Sequence, residues 1–370
     1  MTKMMRAARL HKIGEPFQID TIPLPEVRPT DVLIEVKAAG VVPNLRNVVT
    51  HYPTWFPFMP LPKLPAIYGL DAAGVVTEVG AQVHADIKPG DRVYMNPGLS
   101  CGSCIACRRH DHTNCTAFTF HGYFGFGPGS QKVFEDYPYG GFAQYLTAPV
   151  ANLVKLPDSI SFEQAARFGY LGTAYSALRK AQFCPGQTVL IDGGTGTLGL
   201  GAVLLALAMG AVKVFATARN PALLDKLHKL DPQRVVPIVL GERPTAEVVM
   251  EATGGYGVDV LLETLGANAP VANVLDAFNG LRRGGKAVNI GGVSDPIALD
   301  PFPLMALQKS LIGSCWFTTE EGQNMAAMAD AGTLKLDVFE HECFPLEAVN
   351  QALDAVDKRT GGFINVVITH

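Results

Sequence analysis

The chain has 370 residues, of which 48% are hydrophobic and 17% are charged. This composition is typical of a globular protein, and the length favours two domains over one. The net charge is −4, so the chain has no basic surplus for a phosphate backbone, and we do not expect nucleic acid as a partner.

The first third of the chain is predicted to be β structure. Alternating apolar and polar residues indicate strands at 31–37, 74–80 and 90–94. The frequent Gly and Pro residues between them are typical of a small irregular barrel. The N-terminus has no apolar signal core, so we expect the protein in the cytoplasm.

Four cysteines crowd into one loop, at Cys101, Cys104, Cys107 and Cys115. Their spacing is typical of metal ligands, and four thiolates close a tetrahedral shell around Zn²⁺ with no open position. An iron–sulfur cluster also takes four cysteines, but the polar residues at 108–111 favour zinc. We therefore predict one structural zinc, which agrees with a reducing compartment better than disulfides would.

From residue 188 onward, strands alternate with helices. Strands are predicted at 188–192, 213–217, 258–262 and 286–290, and helices at 200–209 and 221–230. This alternation predicts a parallel sheet wound on both faces. The uncharged stretch 193–212 is long enough to cross a membrane, but its clustered glycines indicate a turn, so no membrane contact is expected. A later helix at 346–356 precedes a strand at 363–369 that should return to the first domain.

A glycine-rich turn joins the first of these strands to its helix. The turn reads Gly194-Thr195-Gly196-Thr197-Leu198-Gly199, which is a G-x-G-x-x-G motif between a strand and a helix. In this context its glycines allow a tight turn, close approach of a pyrophosphate and close packing of the helix on the strand. The N-terminus of the helix also offers unpaired N–H groups to phosphates. The motif therefore predicts a dinucleotide site.

The end of the next strand bears on the choice of dinucleotide. An NAD site needs a carboxylate near this point, but the sequence has Ala218 followed by Arg219. A guanidinium can pair with the 2′-phosphate of NADP, so NADP(H) is favoured over NAD(H). The alternative is that Arg219 is a solvated charge at a helix start and that both cofactors bind.

Together these features resemble the medium-chain dehydrogenase/reductase superfamily, of the zinc alcohol dehydrogenase type. Besides the cysteines and the turn, the resemblance rests on Lys37-Ala-Ala-Gly40, Gly69-Leu-Asp-Ala-Ala-Gly74, Lys88-Pro-Gly-Asp-Arg-Val93, Gly141-Phe-Ala-Gln-Tyr145, Gly172-Thr-Ala-Tyr175 and Arg283-Gly-Gly-Lys286. It implies an α/β protein with a GroES-like β-barrel catalytic domain at 1–156 and 311–370, including a zinc lobe at 98–117. A Rossmann domain with a doubly wound parallel sheet would occupy 157–310 and bind NADP(H).

The resemblance also implies further cofactor contacts and an assembly. Thr173 would lie near the nicotinamide, Thr264 and Leu265 would flank the adenosine side, and Ile290, Gly291 and Gly292 would approach the nicotinamide through their backbone. The expected assembly is a homodimer or homotetramer.

The chain departs from the zinc-dependent members of this superfamily at the catalytic metal. Those members hold it on a cysteine, a histidine and a second cysteine or acid, and the corresponding positions here are Val42, Leu70 and Gly169. None of the three can bind zinc. His51 and Asp71 are other possible donors, but no third partner at a familiar spacing accompanies them, and Asp71 is expected to pack and hydrogen bond within the barrel. We predict no catalytic zinc.

Hydride transfer without zinc needs another way to accommodate the charge that develops on the substrate. A conjugated enone, a quinone or an iminium ion delocalises it, which predicts NADPH-dependent reduction of an activated C=C, C=O or C=N bond. Tyr170 and Asn44, the latter at the family's relay-hydroxyl position, are the candidate catalytic residues. Tyr170 could equally be an aromatic pocket wall.

The sequence also bears on the substrate, and it leaves two alternative functions open. Clustered aromatics and prolines at 51–58 indicate a small-molecule substrate of apolar or aromatic character. One rival is an alcohol or carbonyl dehydrogenase that polarises oxygen with side-chain acids. The other is a non-catalytic NADPH-binding homologue.

Overall fold

A computed structural model describes residues 3–370. The strands are β1 (Met4–Leu10), β2 (Gln18–Pro23), β3 (Asp31–Gly40), β4 (Ala66–Ile67), β5 (Asp71–Val79), β6 (Arg92–Met95), β7 (Gly98–Leu99), β8 (Thr119–Phe120), β9 (Tyr145–Pro149), β10 (Leu153–Lys155), β11 (Thr188–Asp192), β12 (Lys213–Ala218), β13 (Val235–Val239), β14 (Val258–Glu263), β15 (Leu281–Asn289), β16 (Ser310–Gly313), β17 (Glu340–Pro345) and β18 (Ile364–Thr369). The helices are α1 (Leu45–Trp55), α2 (Ile105–Arg108), α3 (Ser130–Asp136), α4 (Phe162–Ala165), α5 (Phe168–Lys180), α6 (Thr197–Ala208), α7 (Pro221–His228), α8 (Thr245–Ala252), α9 (Val271–Asn279), α10 (Pro301–Ala306), α11 (Thr319–Asp330) and α12 (Val349–Lys358).

The two ends of the chain build one β domain together. Its main sheet has the order β10-β6-β5-β3-β18-β17, and β9 also pairs with β3. The C-terminal strand β18 lies antiparallel to β3, with Val367 opposite Gly40. The prediction that the last strand returns to the first domain is therefore confirmed. The predicted strands at 31–37, 74–80 and 90–94 correspond to β3, β5 and β6.

The middle of the chain forms a six-stranded parallel sheet in the order β13-β12-β11-β14-β15-β16. Alternate residues of β11 enter different cores: Val189 and Ile191 pack on one face, and Leu190 packs on the other. Because both faces of a parallel sheet are covered in this way, its strands are apolar throughout. The predicted doubly wound parallel sheet is confirmed.

The parallel sheet extends past the border expected from the sequence. Its last strand, β16, pairs with β15 from Ser310 to Gly313, so the sheet continues three residues beyond the predicted border at residue 310. Leu311 on this strand is 46% exposed, which explains why no buried apolar run marks the strand in the sequence.

The β domain touches the parallel-sheet domain through a short C-terminal segment, residues 359–363, which we call the strap. The backbone N–H of Gly362 donates to the carbonyl of Thr195 at 2.8 Å. A side chain at residue 362 would overlap the backbone of Gly196, so only glycine allows this contact. The strap therefore lies directly on the glycine-rich turn. None of the helices described is both long and apolar enough to cross a membrane.

Candidate active site

The glycine-rich turn is packed as tightly as its sequence suggests. A side chain at Gly199 would overlap the carbonyl of Gly193, and one at Gly194 would lie 2.7 Å from the Cβ of Ala216. Helix α6 begins at Thr197 with Gly196 as its N-cap, and no side chain caps it. Its first N–H groups are therefore available to a ligand, and the residues of the turn fit the phosphates of a dinucleotide.

The predicted cofactor residues 264–265 and 290–292 lie at the same edge of the sheet as the turn. The Thr264 hydroxyl donates to the Asp192 carbonyl at 2.7 Å, which places Thr264 beside the start of the turn. The Gly292 N–H donates to the Leu265 carbonyl at 2.8 Å, so residues 290–292 and 264–265 lie side by side. Thr173, on α5, donates its hydroxyl to the Gly169 carbonyl at 2.8 Å. Residues 264–265 and 290–292 thus lie together beside the start of the turn, and the Thr173 hydroxyl bonds within its own helix.

Arg219 follows β12 and is exposed. With Leu240, Leu265 and Asn273 it lines a cavity of about 270 Å³. Within residues 3–370 its side chain forms no ion pair. An uncompensated guanidinium in this position can pair with an anionic ligand group.

Sequence reasoning missed Arg359, which lies in the strap. One of its Nη groups donates to the Thr197 hydroxyl at 3.1 Å, so the guanidinium lies at the first turn of α6. Its Nε is buried and has no partner among the residues described. Since Arg359 and Thr197 are 162 residues apart, only their contact in the fold connects them.

The four cysteines of the loop converge. The sulfurs of Cys101, Cys104, Cys107 and Cys115 all lie within 4.8 Å of one another. The Sγ atoms of Cys104 and Cys107 are 3.6 Å apart, close to the ~3.8 Å expected between thiolates on a tetrahedral zinc. The backbone N–H groups of Cys101 and Ala117 also point at the Cys115 sulfur. This donor set fits one structural zinc.

The positions corresponding to a catalytic zinc do not fit a metal. Val42 and Leu70 are buried apolar side chains, and Gly169 has none. Asp71 is buried beside them and accepts a hydrogen bond from the Tyr94 hydroxyl at 2.7 Å. Burial raises the pKa of Asp71 to about 7, against opposing effects of Tyr94, Arg167 and the Gly169 backbone. One carboxyl group without further donors is not a zinc site.

The two predicted catalytic residues have different surroundings. The Asn44 amide donates to the Tyr52 hydroxyl at 2.9 Å, so it orients another side chain. Tyr170 lies in the first turn of α5, with the Arg167 guanidinium 5.2 Å from its ring centroid. Burial raises the pKa of Tyr170 above its usual range, so its hydroxyl stays protonated at neutral pH.

A further tyrosine, Tyr123, was not singled out from the sequence. It is buried, and the charges of Tyr170, Tyr52 and Asp71 add to the effect of burial in raising its pKa. Tyr123 comes from the loop after β8, and its ring packs against Phe124, which also contacts the Tyr52 ring. The aromatic density of residues 118–126 was its only signal in the sequence.

Comparison with known proteins identifies the family. Residues 28–158 match the alcohol dehydrogenase GroES-like domain, and residues 197–331 match the zinc-binding dehydrogenase family. The chain is 32% identical over 365 residues to an alcohol dehydrogenase from Geobacillus stearothermophilus, covering 98% of both chains. It belongs to the medium-chain dehydrogenase/reductase superfamily. It is therefore an oxidoreductase, and the predicted family and fold class are confirmed.

Other members of the superfamily that resemble this chain have different names. A quinone oxidoreductase from Lama guanicoe is 29% identical over 384 aligned positions, which cover 99% of this chain and 98% of the relative. The crystal structure of AibC superposes with a TM-score of 0.85 at 28% identity, covering 100% of this chain and 96% of that one. The relatives thus include both alcohol and quinone oxidoreductases.

Proposed function

We propose that this oxidoreductase uses NADPH to reduce an activated C=C, C=O or C=N bond without a catalytic zinc. The observation that carries the proposal is the side-chain chemistry at Val42, Leu70 and Gly169, none of which offers a ligand atom. When bound, the cofactor supplies a hydride. The protein then has to bind the cofactor, orient the substrate and stabilise the charge that develops on the acceptor.

The proposed cofactor site uses residues from both domains. The amides of the glycine-rich turn and Arg359 of the strap would hold the pyrophosphate, and Arg219 would pair with the 2′-phosphate. Residues 264–265 would flank the adenosine side, and Thr173 with residues 290–292 would border the nicotinamide. The support for this assignment is that residues 264–265 and 290–292 lie beside the start of the turn, that Arg359 contacts Thr197 in the turn, and that Arg219 and Leu265 line the same cavity.

The proposed proton donor is the Tyr170 hydroxyl. The charges of Tyr52 and Tyr170 contribute to raising the pKa of Tyr123, and the rings of Tyr52 and Tyr123 both pack against Phe124, with centroids 5.4 and 4.7 Å from it. Neutral hydroxyls donate hydrogen bonds to an oxygen that gains negative charge, but give little to an iminium cation. Among the three acceptor classes, these neutral hydroxyls therefore favour an enone or a quinone over an iminium ion.

The aromatic residues support an apolar or aromatic substrate. The Tyr52 ring centroid lies 5.0 Å from that of Phe56 and 5.4 Å from that of Phe124. Such rings form the mostly apolar walls that small-molecule sites use, with a few polar groups to orient the ligand.

We also propose a homodimer or homotetramer. Strand β16 forms one edge of the parallel sheet, and Leu311 on it is 46% exposed. Nearby on α10, Phe302 and Met305 are 69% and 65% exposed. An open edge with exposed apolar side chains supports contact with a second copy. Light scattering should give a multiple of the 39.5 kDa chain mass, and Leu311→Lys should lower it.

The test of the proposed function is oxidation of NADPH in the presence of an enone, a quinone and a simple ketone. We expect turnover with the enone or the quinone and little with the ketone. Turnover of the ketone alone would instead support a carbonyl dehydrogenase that uses side-chain acids. Tight NADPH binding without turnover of any of them would support a non-catalytic homologue.

Tyr170→Phe tests the proton donor. If the hydroxyl donates in the transition state, kcat should fall roughly 100-fold or more while the NADPH Kd stays unchanged. Tyr145→Phe, on β9, is the matched control. An unchanged kcat in Tyr170→Phe would make Tyr170 a pocket wall.

A further inference from the structure

Two buried carboxyl groups lie side by side next to the glycine-rich turn, and we call them the carboxyl pair. Asp192 ends β11 and Glu263 ends β14, and the two residues are partners in the parallel sheet. They follow Leu190 and Leu261 by two residues. Because those leucines share one core, both carboxyls lie on the same face of the sheet. Neighbouring strands are about 4.8 Å apart, so two ionised groups here would repel each other.

The hydrogen bonds around the carboxyl pair show which oxygen of each group can carry a proton. The Gly193 N–H donates to the Thr217 hydroxyl at 2.9 Å, so that hydroxyl uses its own hydrogen to donate to Oδ1 of Asp192, at 2.6 Å. The Leu265 N–H donates to Oε1 of Glu263 at 2.6 Å. One oxygen of each carboxyl is therefore engaged as an acceptor, which leaves Oδ2 of Asp192 and Oε2 of Glu263 for a proton.

The surroundings of the carboxyl pair provide no cation to balance two negative charges. Asp192 and Glu263 are 0% and 2% exposed, and within residues 3–370 neither forms an ion pair. Oδ2 of Asp192 and Oε2 of Glu263 have no hydrogen-bond partner among the residues described. The titratable group that acts on Asp192 from α9 is another acid, Asp276, whose oxygens accept from N–H groups in the first turn of α8. From β12 and β15 the pair meets Thr217 and Asn289, which do not ionise.

Burial disfavours the ionised form of both groups. It raises the pKa of Glu263 to about 7, and the charge of Asp192 adds to this effect while two backbone hydrogen bonds oppose it. It also raises the pKa of Asp192 to about 6, and the charge of Asp276 adds to that effect. Because the two groups interact, they titrate as a pair.

Both carboxyls contact backbone that borders the proposed dinucleotide site. Asp192 directly precedes the turn, and Thr217 links its Oδ1 to the N–H of Gly193. Glu263 accepts from the Leu265 N–H, and a Cβ at Gly291 would lie within 2.6 Å of both its carboxyl oxygens. A second negative charge in the pair would therefore lie close to the segments that would hold an anionic pyrophosphate.

We propose that Asp192 and Glu263 act as one proton-binding site, and that a dinucleotide binds more tightly when the carboxyl pair holds a proton. When the anionic cofactor binds, the pair takes up a proton from solvent, and it returns this proton when the cofactor leaves. The inference rests on the proposed function only in placing a dinucleotide at the turn. It does not depend on the substrate or on the proton donor.

Isothermal titration calorimetry with NADH tests the proposal. NADH is the probe because it lacks the 2′-phosphate, which would itself titrate at about pH 6. Titrations at pH 7.5 in HEPES and in Tris, which differ in ionisation enthalpy, should show the uptake of roughly half a proton per NADH bound. The Kd of NADH should rise roughly five- to tenfold between pH 6 and pH 8.

Two variants assign the proton to the carboxyl pair. Glu263→Gln should bind NADH with a Kd that hardly changes with pH, because glutamine keeps the acceptor for Leu265 and is neutral like the protonated acid. Asp192→Asn should also reduce the uptake, because it removes the neighbouring charge. Glu251→Gln makes the same change at an exposed carboxylate and should match the unsubstituted chain. The absence of proton uptake in the unsubstituted chain would overturn the inference, as would equal uptake in Glu263→Gln and Asp192→Asn.

Thermal unfolding without cofactor tests the carboxyl pair independently of binding. Glu263→Gln should raise the midpoint at pH 8 by roughly 2–5 °C and change it less at pH 5.5, because only the ionised acid is costly to bury. An equal change at both pH values would show that Glu263 does not titrate in this range and would overturn the inference. None of these measurements uses a substrate, so the proposed reduction can fail its own test while this inference stands.

Discussion

Arg219 is a single side chain through which cofactor preference can be tested. Its guanidinium lines the cavity at the end of β12, without an ion-pair partner within residues 3–370. A charge-assisted hydrogen bond contributes about 1.5–3 kcal/mol, so Arg219→Ala should weaken NADPH binding roughly 10- to 100-fold and hardly change NADH binding. Fluorescence titration with both cofactors measures this. Arg243→Ala, an exposed arginine of the same domain, is the control. Equal losses of affinity for NADPH and NADH would show that Arg219 does not bind the 2′-phosphate.

Arg359 should behave differently because the pyrophosphate is common to both cofactors. Its contact with Thr197 places it at the turn, away from the cavity that Arg219 lines. Arg359→Ala should therefore raise the Kd of NADPH and of NADH by the same factor, roughly tenfold. The same titrations measure this effect. A loss confined to NADPH would place the 2′-phosphate, and not the pyrophosphate, beside Arg359.

The contrast between these two arginines shows what the sequence could predict. Arg219 was identifiable because it lies at a fixed distance after a local strand–turn–helix motif. Arg359 was not, because a chain segment that returns from the other domain carries it to the turn. Asp71 was visible in the sequence, but its position in the space beside Gly169 depends on how β5 and α5 meet in the fold.

The strands that flank the cysteine loop pack against a buried tryptophan, Trp316. Trp316, shortly after β16, packs with its ring centroid 4.6 Å from that of Phe120 and donates to Asn96 at 2.7 Å. A Cβ at Gly98 would lie only 2.9 Å from the Trp316 ring, so the strands β7 and β8 that flank the loop fit closely around it. Disorder in the loop should therefore be visible in the fluorescence of Trp316.

Cys104→Ser tests this connection. We expect the zinc content to fall from about one per chain to near zero, because a tetrahedral site does not tolerate the loss of one of its four thiolates. The thermal midpoint should fall by about 2–4 °C for each kcal/mol lost, and tryptophan emission should shift to longer wavelength. Cys343→Ser removes an exposed thiol outside the loop and should change none of these. Retention of the zinc in Cys104→Ser would contradict the assignment.

Among the secondary-structure elements, the long apolar strands were predictable from the sequence, whereas the exact ends of strands were not. The predicted strands at 188–192 and 213–217 lie within β11 and β12 because their residues are buried on both faces. Strand β15 begins at Leu281, five residues before the expected start, because an irregular stretch around Gly284 precedes its regular pairing with β14. Pairing of that kind is set by the neighbouring strand, so periodicity along one strand does not show it.

The stability of the whole molecule should depend on pH through groups that folding buries. Burial lowers the pKa of His121 to about 4, against the opposing effect of the Tyr139 backbone. Between pH 6.5 and 4 the unfolded chain binds a proton at this residue and the folded chain does not. The contribution of His121 to the free energy of unfolding is therefore highest above pH 6.5, and it decreases as the pH falls towards 4. Burial raises the pKa values of Asp71 and Glu263 to about 7, so these two carboxyls act in the opposite direction.

Comparison with His121→Phe separates the histidine from those carboxyls, which both chains share. The His121 ring packs against Tyr137 with the ring centroids 5.9 Å apart, and phenylalanine can keep this packing while removing the titration. Urea unfolding at pH 7, 5.5 and 4.5 should show His121→Phe gaining stability over the unsubstituted chain as the pH falls, by up to about 3 kcal/mol at the acid end. His84→Gln changes an exposed histidine and should follow the unsubstituted chain at every pH. A constant difference between His121→Phe and the unsubstituted chain over this range would mean that folding does not depress the pKa of His121.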